Sequence, residues 1–113
     1  MQKPKRQVRD LRPALVFLSG DLIDRKEVIL GREIGADVRV NDAKVARRHA
    51  MIESVVDAAT GETSYMLKDF GTRSGTLLNG ERITTEALQN GDKITVGDQI
   101  LRFDLLDEID REY

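Results

Sequence analysis

Residues 69–80 decide the fold, and they read Asp-Phe-Gly-Thr-Arg-Ser-Gly-Thr-Leu-Leu-Asn-Gly. A glycine-rich loop runs into the short apolar segment Thr76–Leu78, which ends at Asn79-Gly80. Asparagine and glycine both tolerate a positive φ, so this pair is a strong short-range signal for a β-hairpin turn. The stretch therefore predicts a loop, a short strand and a tight turn into a second strand.

The rest of the chain has the same organisation. Short apolar runs end at turn residues throughout, for example at Gly31 and near Gly61. Towards the C-terminus, Leu101, Phe103 and Leu105 recur at every second position, and a period of two is typical of a half-buried strand. Many short strands separated by such turns predict an all-β domain, an antiparallel sandwich or barrel.

The two ends of the chain depart from this pattern. Basic residues dominate the first positions, and we predict a flexible N-terminal arm over residues 1–12. Near the other end, apolar residues recur at helical spacing among acids: Leu105, Leu106, Ile109 and Tyr113. They predict the start of an amphipathic linker helix over residues 106–113, which continues into another domain and offers a route to a homodimer. Residues 13–105 remain as the one folded domain.

Composition excludes several classes of function. The 113 residues suffice for a single domain, and the absence of cysteine excludes disulfides and thiolate metal sites and agrees with a cytoplasmic location. A net charge of −2 with only two tyrosines and three phenylalanines disfavours nucleic-acid binding. No apolar run approaches the roughly 20 residues that span a bilayer, so no membrane contact is expected. His49 is the single histidine and lies near no acidic cluster, so we expect no metal, no cofactor and no catalysis.

Four arginines lie in the loops between the predicted strands: Arg32, Arg47, Arg48 and Arg73. Alternate loops of a β-sandwich gather at one end, so these side chains are expected to lie near one another. The planar guanidinium matches phosphate oxygens bidentately, and glycine-rich turns add backbone N–H donors. The spacing therefore favours an anion site, although Arg47 and Arg73 are equally open to interpretation as solvated surface charges and Arg48 is better interpreted as one.

In this order, the motifs resemble the forkhead-associated (FHA) domain family. The matching segments are Gly31-Arg32, Ala46–His49, Ser74–Thr76, Asn79-Gly80, Asn90–Asp92 and Ile94–Gly97, within residues 13 to 105. The resemblance implies an antiparallel β-sandwich of about eleven strands that binds phosphothreonine in partner proteins without catalysis. It also implies that Arg32 clasps the phosphate and that His49 braces a loop. Four further residues then belong to the structural motif: Gly31, Gly75, Asn79 and Gly80.

Three positions depart from the family pattern. Ala46 replaces a serine whose hydroxyl donates to phosphate, Arg73 replaces a threonine or serine, and Ser74 replaces an asparagine that holds the peptide backbone. Each lost hydrogen bond to a charged group would cost roughly 1.5–3 kcal/mol. Because a phosphate carries about −1.5 to −2 charge, Arg47 and Arg73 are candidates to compensate. We therefore predict an arginine-rich phosphopeptide pocket that is formed by Arg32, Arg47, Arg73 and Ser74.

Two alternatives stay open. The departures are also compatible with a degenerate FHA domain that acts as a phosphate-independent interaction or dimerisation scaffold. The acidic, helix-like C-terminal segment also resembles the helix that leads from FHA sensor domains into bacterial GGDEF diguanylate cyclase domains, which make cyclic di-GMP. If the domain binds a phosphopeptide, we expect it to come in trans or from beyond Tyr113, because residues 1–18 contain no serine, threonine or tyrosine.

Overall fold

A computed structural model describes residues 11–15, 21–22 and 26–107, with side chains described for residues 26–105. These residues form eleven strands in two sheets, and no helix in the described ranges is long and apolar enough to cross a membrane. The strands are β1 Leu11–Leu15, β2 Asp21–Leu22, β3 Glu27–Gly31, β4 Val38–Arg39, β5 Ala50–Val56, β6 Thr63–Asp69, β7 Thr76–Leu78, β8 Glu81–Ile83, β9 Thr85–Ala87, β10 Lys93–Val96 and β11 Gln99–Asp107. The predicted all-β sandwich is confirmed.

The two sheets differ in strand order, and only the second contains a parallel pair among the described strands. The first has the order β2-β1-β11-β10-β7-β8, and the second has the order β4-β3-β5-β6-β9. Nearly all neighbours are antiparallel, but β3 and β4 pair in parallel, with Leu30 opposite Val38. The chain passes from the second sheet to the first between β6 and β7, which is where the glycine-rich loop of the opening stretch lies.

The core lies between the sheets and is built from the alternate residues that the period of two predicts. On β11, Leu101 and Phe103 are fully buried, whereas Ile100 and Arg102 face solvent. The ring of Tyr65 packs against Phe103 with a centroid separation of 5.5 Å. Each fully buried large apolar side chain of this kind contributes about 1.5–3 kcal/mol relative to an exposed one.

The predicted hairpin turn lies between β7 and β8. Asn79 has φ 52° and Gly80 has φ 90°, which are the left-handed values that this residue pair tolerates. The Asn79 amide also donates to Asp92 Oδ1 at 3.0 Å and accepts from the Lys93 backbone N–H at 2.9 Å. Asn79 therefore shapes the turn and also ties it to β10.

The C-terminal prediction is wrong where it overlaps the described residues. Residues 105–107 continue strand β11, with Leu106 opposite Arg12 and Asp107 opposite Leu11 on β1. A short helix has a costly nucleus, whereas extension of an existing strand satisfies backbone groups against a neighbour already in place. Strand β1 thus begins inside the segment predicted as a flexible arm, and residues 1–10 and 108–113 of the two terminal predictions lie outside the described residues.

Candidate functional site

Three loops meet at one end of the sandwich. We call them the first loop (residues 32–37, between β3 and β4), the second loop (residues 40–49, between β4 and β5) and the third loop (residues 70–75, between β6 and β7). They enclose a cleft of about 320 Å³. Its lining consists of Arg32, Ala43, Lys44, Val45, Ala46, Thr72, Arg73 and Ser74. Three of these residues are cationic and none is acidic, so the cleft favours an anion.

Gly31 brings the first and second loops into contact. A Cβ at this position would lie 2.1 Å from the Arg47 carbonyl oxygen, so no other residue fits without moving the second loop. Next to it, the Arg32 N–H donates to the Ala46 carbonyl at 2.9 Å, and the Glu33 N–H donates to the Arg47 carbonyl at 3.2 Å. The glycine of the Gly31-Arg32 motif therefore places the arginine beside the second loop.

Among the residues that the structure describes, one hydrogen bond orients the Arg32 side chain. Its Nε donates to the Val45 carbonyl at 2.9 Å, and no other side-chain hydrogen bond or ion pair of Arg32 occurs among the described residues. The two terminal nitrogens of the guanidinium are thus available at the cleft that Arg32 lines. This arrangement leaves a planar pair of donors that suits two oxygens of a phosphate.

His49 is fully buried and connects the second loop to the third. Its Nδ1 accepts from the Ala46 N–H at 3.0 Å, and its Nε2 lies 2.9 Å from the Gly75 carbonyl oxygen. A backbone N–H can only donate and a carbonyl can only accept, so the ring is assigned as neutral with its hydrogen on Nε2. His49 lies where the bracing role that the resemblance implies would require it.

Asp69 organises the third loop. Its Oδ1 accepts from the hydroxyls of Thr72 at 2.8 Å and Thr76 at 2.7 Å, and its Oδ2 accepts from the N–H groups of Gly71 at 2.8 Å and Thr72 at 3.0 Å. Burial raises the pKa of Asp69, but the hydroxyls of Thr76 and Thr72 and the two backbone N–H groups outweigh it, so the pKa lies below its ordinary value. We refer to His49, Asp69, Thr72 and Thr76 as the polar network.

Asp69 and Thr72 lie in the stretch quoted at the outset but had no predicted role, and neither did Arg82. The available signal was the spacing of Asp69 and Thr72, because an aspartate commonly accepts from backbone N–H groups two and three residues ahead. Arg82 had no comparable signal. Its Nη2 donates to the Thr72 carbonyl at 3.2 Å and lies 3.5 Å from the Arg73 carbonyl. Its guanidinium also occupies the space where a Cβ of Gly75 would stand, 2.7 Å from Nε.

The structure brings together only some of the predicted binding residues. Arg73 lines the cleft and is exposed, and its guanidinium has no hydrogen bond or ion pair within the described part of the chain. Ser74 also lines the cleft, but its hydroxyl donates to the Lys44 carbonyl at 2.9 Å. Arg47 is exposed and lies outside the cleft lining, and Arg48 stacks over the Phe70 ring at 5.8 Å.

Lys44 is the one cation of the cleft lining that the sequence did not predict. It lies two residues before Ala46 and supplies the third charge of what we call the cationic rim, formed by Arg32, Lys44 and Arg73. The described side chains contain no group of three or more histidine, aspartate or glutamate residues that could hold a metal ion. The positive charge of the cleft lining therefore suits an anion.

Comparison with known proteins assigns the family. A sequence model of the FHA domain matches residues 28–97, which is more than half of the chain. The chain belongs to the FHA domain family. The match runs from the core of β3 to the turn after β10, so it includes all three loops of the cleft.

Curated relatives of this FHA domain are named for regulation. The chain is 33% identical over 76 residues to an oxoglutarate dehydrogenase inhibitor of Corynebacterium jeikeium, covering 67% of this chain and 49% of that protein. It is 32% identical over 76 residues to the glycogen accumulation regulator GarA of Mycolicibacterium smegmatis, covering 67% of this chain and 44% of that protein. The chain thus spans about half the length of the relatives that it matches. Because the family is a recognition domain, this FHA domain is not an enzyme.

A solved structure gives the same result in three dimensions. It comes from a structural and functional study of phosphothreonine-dependent FHA domain interactions. The two folds superpose with a TM-score of 0.67 at 26% sequence identity, over 83% of this chain and 94% of that one. The predicted FHA resemblance is therefore confirmed by sequence and by structure.

Proposed function

We propose that this FHA domain binds a phosphothreonine-containing segment of a partner protein in the cleft, with Arg32 clasping the phosphate. The observation that carries the proposal is the cationic rim, three positive side chains around a cleft whose lining contains no acid. Because two relatives are named as an inhibitor and a regulator, the proposed role is regulatory. The phosphorylated segment is supplied in trans or from beyond Tyr113.

Arg32 and Arg73 contribute differently to phosphate binding. The contact from Arg32 Nε to the Val45 carbonyl fixes the plane of that guanidinium before ligand arrives, so little side-chain entropy is lost when the two terminal nitrogens bind. Arg73 has no such anchor among the described residues, and it contributes charge more than geometry. Arg47 lies outside the cleft lining, so we assign it a long-range electrostatic contribution to a dianionic ligand.

Ala46 and Ser74 explain why the cations carry so much of the recognition. Ala46 offers no hydroxyl, and its backbone N–H is already engaged by His49 Nδ1. The Ser74 hydrogen is engaged by the Lys44 carbonyl, but the Ser74 oxygen keeps its acceptor capacity. We therefore propose that Ser74 accepts from a peptide N–H and does not donate to the peptide.

The proposal is tested by titrating a phosphothreonine peptide library and the matched unphosphorylated peptides against wild type and Arg32→Ala. Loss of a bidentate contact to phosphate is expected to weaken phosphopeptide binding about 10- to 100-fold, equivalent to about 1.4–2.8 kcal/mol. Arg102→Ala is the matched control, because Arg102 is an exposed arginine paired with Asp104 on β11, away from the cleft. Equal affinity for phosphorylated and unphosphorylated peptides would contradict the proposal.

A phosphate-independent scaffold is the second candidate. The observation that favours it is the same pair of departures, Ala46 without a hydroxyl and Ser74 with its hydrogen already donated. This candidate expects a dimer or a peptide-independent complex by molecular mass in solution, and no selectivity on a phosphopeptide array. A monomeric protein that selects phosphopeptides would contradict the scaffold function. A homodimer through the C-terminal segment and a link to a diguanylate cyclase stay predictions.

A further inference from the structure

The backbone of Lys44 is held on both sides by hydrogen bonds. Its N–H donates to Asp42 Oδ1 at 2.8 Å, and its carbonyl accepts from the Ser74 hydroxyl at 2.9 Å. Asp42 is itself fixed, because its Oδ2 accepts from the Asp98 N–H at 2.9 Å. The second loop, the third loop and the turn after β10 therefore meet at the backbone of Lys44.

The ammonium group of Lys44, in contrast, is held loosely. It pairs with Asp98 Oδ1 at 3.2 Å, and the two side chains are 64% and 65% exposed. Exposed ion pairs of this kind contribute little to stability, so another anion can replace Asp98 without a large penalty. A firm backbone with a weakly paired side chain is an arrangement that permits exchange of one carboxylate for another.

The cationic rim carries more positive charge than one phosphate group neutralises. Arg32, Lys44 and Arg73 together carry three positive charges, and a phosphate carries about −1.5 to −2 near neutral pH. About one positive charge remains, and in the unliganded protein Asp98 neutralises it through Lys44. A ligand that fills the cleft completely would bring its own second negative group.

We propose that Lys44 is a specificity-determining residue that selects phosphothreonine segments with an acidic side chain near the phosphorylated residue. On binding, the ligand carboxylate replaces Asp98 as the partner of the Lys44 ammonium group. The inference rests on the proposed function, because it takes the phosphate as the first anionic group. Lys44 then reads the surrounding sequence while Arg32 reads the phosphate.

The experiment uses one phosphothreonine peptide from the library and places aspartate or asparagine, one position at a time, on each side of the phosphothreonine. Asparagine keeps the shape of aspartate and removes its charge. For wild type, aspartate at one or more positions is expected to tighten binding about three- to tenfold relative to asparagine. Lys44→Met keeps a long side chain without charge, and it is expected to abolish the aspartate preference while weakening binding of the asparagine phosphopeptide much less than Arg32→Ala does.

Two further variants sharpen the result. Asp98→Asn removes the internal competitor and is expected to tighten binding of the aspartate peptide about twofold or more. Lys93→Met is the matched control, an exposed lysine at the opposite end of β10, and it should preserve the aspartate preference. The inference is overturned if wild type shows no aspartate preference, if Lys44→Met retains one, or if Asp98→Asn weakens binding. A loss of phosphate dependence in every peptide would overturn the proposed function as well, whereas loss of the aspartate preference alone leaves it standing.

Discussion

Within the polar network every side-chain oxygen of Asp69 and both ring nitrogens of His49 have partners inside the protein, whereas the Arg73 guanidinium of the cationic rim has none among the described residues. The two regions are joined at the third loop, where Thr72 belongs to the network and also lines the cleft. The network fixes the loop positions through hydrogen-bonded groups that are buried (His49 and Thr76) or half-buried (Asp69 and Thr72), whereas the rim leaves unpaired positive charge at the surface of the described residues. We therefore expect the shape of the loops and the affinity for phosphopeptide to depend on different residues of this FHA domain.

The largest effect should come from the centre of the network. His49→Ala removes a fully buried ring and leaves the Ala46 N–H and the Gly75 carbonyl without their partners. We expect the free energy of unfolding to fall by about 3–5 kcal/mol, which a urea titration followed by circular dichroism measures. A loss below about 1 kcal/mol would show that the two loops are held together by other contacts.

Asp69→Asn tests the charged member of the network, with an expected loss of about 1–3 kcal/mol at pH 7. The folded protein holds the pKa of Asp69 below its ordinary value of 3.8. Its contribution is therefore complete above the unfolded pKa and is lost as pH falls through the lower folded pKa. The stability gap between wild type and Asp69→Asn should be largest near neutral pH and shrink in acid. Urea titrations at pH 7 and pH 3 measure it, and a gap that widens in acid would contradict the assignment.

Ala46→Ser tests whether the rim lacks a neutral donor. A serine hydroxyl at this cleft-lining position adds a hydrogen bond to a charged phosphate, so phosphopeptide binding is expected to tighten about tenfold, or about 1.4 kcal/mol. Isothermal titration calorimetry with the phosphorylated peptide measures the change. The matched Ala43→Ser, elsewhere in the same lining, is expected to change affinity much less. Equal gains in both variants would indicate a general polarity effect of the cleft.

The smallest effect is expected at Arg48, which is exposed and stacks on Phe70 at 5.8 Å. Because an exposed cation–π contact contributes about 0.5–1 kcal/mol, Arg48→Ala should lower stability by no more than that. Phosphopeptide affinity should change less than twofold, because Arg48 lies outside the cleft lining. A tenfold loss of affinity in a fluorescence anisotropy titration would indicate that Arg48 contributes to the binding site.

Local signals predicted most of the fold correctly, and the failures share one cause. Asn79-Gly80 specified its turn because both residues adopt a positive φ, and the alternation of Leu101 and Phe103 specified a half-buried strand. The same kind of signal failed at residues 106–107, where helical spacing was outweighed by pairing with β1, more than 90 residues earlier in the chain. The residue spacing within one segment does not show which distant strand that segment will pair with.

The candidate site divides in the same way. The all-β class, the order of the loop motifs and the position of Arg32 directly after Gly31 could be read from the sequence alone. Only the tertiary structure decided that Lys44 lines the cleft and Arg47 does not, that Ser74 donates to Lys44, and that Arg82 packs against Gly75. Turn and strand preferences act between neighbouring residues and can be read along the chain. The partner of a loop side chain depends on contacts between segments up to dozens of residues apart, which exist only once both sheets have formed.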